Sequence, residues 1–301
     1  MENVIITGGN GFVGSNTVKY FLSQGIKVLS IGTAKMAPFE AEGFSYLSCD
    51  IFHAESLKHK LPIGVYDTFI HFAWAGSSGP ARVDYNLQMN NALMTVACVK
   101  IAREIGCTRF VCAGSIMEYE VEAAVHAQES RPGMGYIYGM GKHIAHCMCK
   151  SVAADIGIDL VWTMITNAYG AGELSPRFVN TTLRKIINNE PLQFTAATQN
   201  YDFVYVTDVA KAFYLIAKNG KPFCEYMIGS GNARPLKEFI LEIQQSLAPD
   251  TIPLFGDVPF TGINMPLSIF STAATEQDTG FKAEVSFTEG TRMTMDWLKT
   301  L

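Results

Sequence analysis

The chain has 301 residues, 48% of them hydrophobic and 17% charged, which supplies enough apolar material for one or two globular domains with a sizeable core. A net charge of -5 argues against nucleic acid or an anionic membrane as the main partner, and no apolar run nears the ~18 residues of a membrane span. The seven cysteines are odd in number and scattered, as expected of reduced cytoplasmic thiols, and the N-terminus enters a strand with no room for a signal peptide.

Val4, Ile5 and Ile6 form an apolar run of the length a buried parallel strand needs. Gly8, Gly11 and Gly14 follow with G-x-x-G-x-x-G spacing, ahead of a helix predicted over Ser15–Gln24 and stopped by Gly25. At such a strand-to-helix turn, glycines let the backbone approach a pyrophosphate, while the helix N-terminus offers unpaired N–H groups and a positive dipole end. Gly8, Asn10, Gly11, Phe12, Val13 and Gly14 are therefore candidate dinucleotide contacts. The second strand, Ile26–Ile31, runs into Gly32, Thr33, Ala34 and Lys35. A carboxylate at this strand end would hold the ribose 2′-hydroxyl of NAD; here Thr33 and the Lys35 cation lean toward a 2′-phosphate, and so toward NADP with NAD as the alternative.

A third strand, Phe44–Cys49, ends at Asp50 and Ile51, where a carboxylate can accept from an adenine amino group. Thr68–Ala73 is a fourth, and Phe72, Ala73 and Trp74 at its end are candidate cofactor contacts, while His71 inside the strand is expected to pack. A long helix over Asn86–Ile105 ends at Gly106, and a fifth strand, Phe110–Ala113, leads to Gly114 and Ser115. Tyr136–Ala154 is helical, and a sixth strand, Asp159–Ile165, ends at Thr166, Asn167 and Ala168. Alternation of apolar strands with helices predicts a doubly wound parallel α/β sheet. From Gly170 onward prolines break the pattern, which predicts a smaller lobe over 170–200 and 220–301, with 1–169 and 201–219 forming the dinucleotide-binding part. The segment Phe203–Ala217 is expected to return to the main sheet as a strand and helix. His143, His146 and Cys147 share a helix face, but no second ligand pair lies at finger-like spacing, so no metal site is expected.

Tyr138 and Lys142 stand at i and i+4 on one helix face. A free phenol, with a pKa of about 10, is a poor base near neutrality, and a neighbouring ammonium favours its ionised form. Ser115 can bond the same substrate oxygen, so the three residues form a proton relay for alcohol oxidation or ketone reduction beside a nicotinamide. With these residues in place, the chain resembles the extended short-chain dehydrogenase/reductase family, in its nucleotide-sugar epimerase/dehydratase branch. Thr7–Gly14 resembles the family's TGxxGxxG, His71–Trp74 its H-x-A-x stretch, Asn167–Gly170 its N-x-Y-G, and Asp202–Val209 the strand leading into D-V. Asn91 falls on a structural Asn of that family and joins Ala113, Asn167 and Ala168 as an implied cofactor-side residue. The resemblance implies a Rossmann fold, a nicotinamide cofactor and a nucleotide-sugar substrate. It also implies a homodimer built on the two long helices, with Trp74, Ser115, Met117, Asn167, Arg177 and Tyr201 on the substrate side.

Two departures narrow the expected reaction. Where family dehydratases carry Asp-Glu after the Ser/Thr, this chain has Ile116 and Met117, with Glu118 one position off the pattern. Without an acid for a leaving hydroxyl, dehydration gives way to NAD(P)-dependent reduction of a keto-sugar nucleotide, the alternative being an NAD-dependent 4-epimerase. The second departure is the loss of two arginines that face the substrate diphosphate. Tyr201 replaces one, and the other is absent around 260–265, leaving Arg177, Arg184 and Arg234 as possible replacements.

Overall fold

The computed structural model describes residues 1–53, 55–260 and 262–301. Its strands are β1 (Asn3–Thr7), β2 (Lys27–Gly32), β3 (Phe44–Ser48), β4 (Thr68–His71), β5 (Arg109–Ser115), β6 (Asp159–Ile165), β7 (Asn167–Tyr169), β8 (Gln193–Phe194), β9 (Asn200–Tyr201), β10 (Phe203–Tyr205), β11 (Glu225–Ile228), β12 (Arg234–Pro235) and β13 (Leu254–Phe255). Its helices are α1 (Phe12–Ser23), α2 (Glu55–Lys58), α3 (Tyr85–Glu104), α4 (Met117–Val125), α5 (Ile137–Ile156), α6 (Phe178–Ile187), α7 (Val206–Asn219), α8 (Leu236–Leu247), α9 (Ala273–Thr279) and α10 (Phe287–Leu298).

Val4, Ile5 and Ile6 are fully buried because β1 has neighbours on both edges and helices on both faces. Fully burying such a side chain contributes about 1.5–3 kcal/mol, which is why the run reads as continuously apolar. The main sheet has the order β11-β6-β5-β4-β1-β2-β3, and its strands pair in parallel throughout. Successive side chains alternate between its faces. Ile5, Phe69, Phe110, Leu160 and Trp162 pack with Cys98 and Ala102 of α3 and Ala145 and Cys149 of α5. Val4, Ile6, Ile70, Val111 and Val161 pack with Val18 and Phe21 of α1 and Phe213 and Ile216 of α7. The strand order reverses between β1 and β4, and in such sheets ligands bind at that switch point, outside the carboxyl ends of the strands. The α/β class is thus as the strand–helix alternation implies.

Four elements differ from expectation. The first helix begins at Phe12, three residues before Ser15, so the glycine turn is tighter than the pattern suggests. Phe203–Tyr205 does not rejoin the main sheet; it pairs with Asn167–Tyr169 in a separate two-stranded sheet. The seventh strand is instead Glu225–Ile228, which pairs with β6 although the pattern placed it in the smaller lobe. Helix α4, directly after Ser115, has no counterpart among the expected elements. A third core, built around Phe203, Phe239 and Phe287 with Tyr169, Val179 and Leu183, carries the remaining segments. Phe203 stacks on Tyr201 with ring centroids 5.6 Å apart and meets Phe239 edge-on at 4.9 Å.

Candidate functional site

The glycine turn divides its work between folding and binding. Gly8 has φ +71°, and a Cβ there would lie 2.7 Å from the Ala73 amide nitrogen. At Gly14 a Cβ would lie 2.2 Å from the Gly8 carbonyl oxygen, so α1 can start against the turn only because no side chain intervenes. Gly11 is freer, with 3.3 Å to the same oxygen, and as N-cap of α1 it makes no side-chain cap. The first amides of α1 have no such cap, which suits them to an anion.

That turn borders a cavity of about 870 Å³ lined by Gly8, Asn10, Gly11, Phe12, Val13, Gly14, Thr33, Asp50, Ile51, Phe72, Ala73, Trp74, Ala113, Ser115, Tyr138, Lys142 and Ala168. A smaller cavity of about 200 Å³ shares Ala168, Glu173 and Arg177 with it and adds Arg82, Asn167 and Tyr201. All of the expected cofactor-side and substrate-side residues except Lys35, Asn91 and Met117 therefore gather in two adjoining spaces, and the larger one is long enough in its lining to reach from the end of β2 to Tyr138.

Around Tyr138 the chemistry is set by buried cations. Lys142 is 4% exposed, donates to the Ala113 carbonyl at 2.7 Å, and places its ammonium 3.9 Å from the Trp74 ring. Among the described residues no carboxylate forms an ion pair with it, so the carbonyl and the indole face offset part of its desolvation. Tyr138 is 8% exposed, with the Arg82 guanidinium 4.4 Å over its ring and Trp74 edge-on at 6.1 Å. Helix α5 comes this close because Gly139 packs on the Met117 carbonyl and Gly141 on Gln88, where a Cβ would approach to 2.8 and 3.0 Å. His71 is fully buried beneath, its pKa lowered to about 3 by burial and by Lys142. Thr95 donates its hydroxyl to the Asn91 carbonyl and so accepts from His71 Nε2 at 3.2 Å, which leaves Nδ1 to accept from Thr7 at 2.9 Å. His71 is a neutral packing residue.

Some expected site residues lie elsewhere. Lys35 is exposed and stands outside the lining of both cavities. Asn91 is fully buried and spends its amide on the Ala75 backbone, donating at 2.8 Å and accepting at 3.0 Å, so it holds the loop after β4. Met117 lies outside both linings, its sulfur in contact with Arg82. Of the replacement arginines, Arg177 lines both cavities, Arg184 is exposed and bonded to Asn180, and Arg234 is paired with Glu242. In the 260–265 stretch Thr261 lies outside the described residues. The aspartates of the D-F-V…D-V segment are structural: Asp202 accepts from Ser230 N–H at 2.9 Å, and Asp208 from Val285 N–H at 2.9 Å.

Arg82 is the site residue that spacing does not reveal. It sits on the turn between β4 and α3, lines the smaller cavity and has no carboxylate ion pair among the described residues. Burial lowers its pKa, Tyr138 opposes that shift, and Arg177 adds to it. Two guanidiniums facing one space suit an anionic ligand. His146 bonds Glu118 and His143 lies near Glu122; among the described residues no group of three or more His, Cys, Asp or Glu could hold a metal ion. No helix among them is long and apolar enough to cross a membrane.

A family model described as the NAD dependent epimerase/dehydratase family matches residues 4–229. Human dTDP-D-glucose 4,6-dehydratase is 21% identical over 99% of this chain and 90% of its own length. The dTDP-4-dehydro-6-deoxyglucose reductase of Escherichia coli is 23% identical, with 87% of each chain covered. The crystal structure of the Bordetella bronchiseptica enzyme WbmF in complex with NADH superimposes with a TM-score of 0.81 at 22% identity, covering 99% of this chain and 92% of that one.

Proposed function

Because the chain belongs to the NAD dependent epimerase/dehydratase family and is an enzyme of the extended short-chain dehydrogenase/reductase type, we propose that it reduces the 4-keto group of a nucleotide sugar. Tyr138 gives the carbonyl oxygen its proton, Ser115 bonds that oxygen and orients it, and Lys142 supports the phenolate that remains. When bound in the larger cavity, a nicotinamide cofactor supplies the hydride. Arg82 and Arg177 take the substrate's anionic portion in place of the two arginines the sequence lacks.

One observation carries this choice over dehydration: among the described carboxylates near the site, Glu118 and Glu173 are committed to other partners, and Glu120, its pKa raised by burial against the pull of Arg82, lines neither cavity. Ile116 is buried, and Glu118, only 1% exposed, turns away from the cavities to accept from Ser115 N–H and Trp162 Nε1. Glu173, the carboxylate shared by the two linings, accepts from Ser175 N–H at 2.8 Å and pairs with Arg177. Incubation of 4-keto-6-deoxy sugar nucleotides with NADPH tests the reading by loss of cofactor absorbance. Intact hexose nucleotides are incubated in parallel without reductant. A 4-keto-6-deoxy product in that arm makes the enzyme a dehydratase, and interconverting hexose epimers make it a 4-epimerase.

NADPH is expected to bind about tenfold more tightly than NADH, a difference of about 1.4 kcal/mol. The end of β2 offers Thr33 and Ala34 to the cavity and no carboxylate, held in place by Tyr46 donating to the Ala34 carbonyl at 2.9 Å. Lys35, exposed at that rim, is free to swing onto a 2′-phosphate, and Lys35→Ala removes the preference. Titration of both cofactors into both proteins decides this; equal affinities in the wild type overturn it.

We also propose a two-fold homodimer through α3 and α5. Tyr85, Met89 and Leu93, 61%, 41% and 58% exposed, repeat every four residues along α3 and form an apolar stripe on its outer face. A second copy of the same helix pair covers such a stripe symmetrically. Leu93→Arg is expected to give a monomeric mass by light scattering, and a monomeric wild type at micromolar concentration contradicts the dimer.

A further inference from the structure

A carboxylate almost fully excluded from water lies directly behind Ser115, and its partners link that residue to the helix of Tyr138. Glu118 Oε1 accepts from the Ser115 N–H at 2.9 Å and from Trp162 Nε1 at 3.1 Å. Its Oε2 accepts from His146 Nδ1 at 3.1 Å. The His146 ring lies flat on the Trp162 indole, with centroids 4.4 Å apart and planes 2° from parallel. A buried charge is tolerated only when hydrogen-bonded and paired, and here three donors converge on one carboxylate. The room for it is reserved: a Cβ on Gly114 would meet Trp162 Nε1 at 2.2 Å and Glu118 Oε1 at 2.6 Å.

The placement of His146 gives the cluster a purpose. Tyr138, Lys142 and His146 stand four residues apart in succession on α5, and therefore on one face of it. We infer that Glu118 and His146 are positioning residues that hold Ser115 in register with Tyr138, the carboxylate gripping the Ser115 backbone and the imidazole tying that grip to α5. Ser115 needs such a brace because it ends β5 and its own Oγ accepts from Met117 N–H at 3.3 Å. Other titratable groups face the cluster. Glu225 Oε2 of β11 is 3.7 Å from His146 Nδ1, and its other oxygen receives the Tyr119 hydroxyl. Glu122 lies 3.8 Å from His143, and Lys142 and Glu118 both act on Cys112. Glu225 adds a second negative charge beside the same ring nitrogen, while the hydrogen bond of His146 goes to Glu118.

The role rests on the proposed keto reduction for its kinetic readout, so the experiment has two arms. In the kinetic arm, Glu118→Ala is expected to lower kcat about tenfold on a keto-sugar nucleotide, because a misplaced reacting group costs up to about 10²-fold, while KM for NADPH is unchanged. The same substitution made in Ser115→Ala should add nothing further, since its effect passes through Ser115. Additive losses, or a loss confined to KM, overturn the inference. The second arm needs no substrate. With serine and tryptophan 15N-labelled, the isosteric Glu118→Gln variant should shift the Ser115 amide and Trp162 indole resonances, His146→Gln, which also removes the ring stacked on Trp162, should shift the Ser115 amide, and both should leave Trp74 and Trp297 in place. An unmoved Ser115 amide in folded variants overturns the positioning role. A shift without turnover on any keto-sugar nucleotide counts against the proposed reaction instead.

Discussion

Replacing Tyr138 by Phe is expected to lower turnover by about 10²-fold or more while cofactor affinity stays near that of the wild type. The phenyl ring keeps what the surroundings need: the Arg82 guanidinium 4.4 Å over its face, the Trp74 edge at 6.1 Å, and the same volume in the first turns of α5. Only the hydroxyl is lost, and with it the proton that reaches the carbonyl oxygen in the transition state. Lys142→Ala is the contrasting case, in which the two functions fail together. Its ammonium is bonded to the Ala113 carbonyl and faces Trp74, both in the lining of the larger cavity, so its removal is expected to impair turnover and cofactor binding together. Single-turnover rates with saturating NADPH, beside an equilibrium titration, measure each part. Near-wild-type turnover in Tyr138→Phe removes Tyr138 from the reaction.

Gly14→Ala should cost both stability and cofactor binding. The added methyl would stand 2.2 Å from the Gly8 carbonyl oxygen and 3.0 Å from Gly9 Cα, both backbone atoms of the turn with no flexible end to yield. Helix α1 must then back away from β1, carrying Val18 and Phe21 out of their packing with Phe213 and Ile216 of α7. Overpacking of this kind costs about 1–3 kcal/mol, a fall in Tm of about 2–5 °C for a chain of this length, and displaces the α1 amides from the phosphates enough for about a 10²-fold loss of cofactor affinity. Gly11→Ala is the control. With 3.3 Å to the Gly8 carbonyl instead of 2.2 Å, it should lower Tm less than Gly14→Ala does while still weakening the cofactor, since Gly11 lines the cavity. Thermal denaturation and cofactor titration of both variants give the comparison, and equal Tm values for the two refute the packing argument.

What could be read from the residues alone was whatever local geometry dictates. An apolar run, a glycine turn and a helix in sequence make one strand–turn–helix unit, and repetition of that unit implies a parallel sheet. Tyr138 and Lys142 share a face because helical spacing puts i and i+4 together whatever surrounds them. The partner of a three-residue strand is not local. Phe203–Tyr205 and Glu225–Ile228 are both short apolar runs, and only long-range hydrogen bonding sends the first to Asn167–Tyr169 and the second to the edge of the main sheet. The same holds for residues whose meaning depends on what they meet. Asn91 matches a family position, yet its amide is spent on the loop it faces, 16 residues away. Arg82 stands in a turn with no motif and acquires its place over Tyr138 because α3 and α5 pack side by side. Glu118 falls one position from a recognised acid, and helix α4 rotates it away from the cavities to Ser115, Trp162 and His146. Sequence spacing determines direction along a single element; which side chain a buried charge finds there is decided by the packing of elements far apart in the chain.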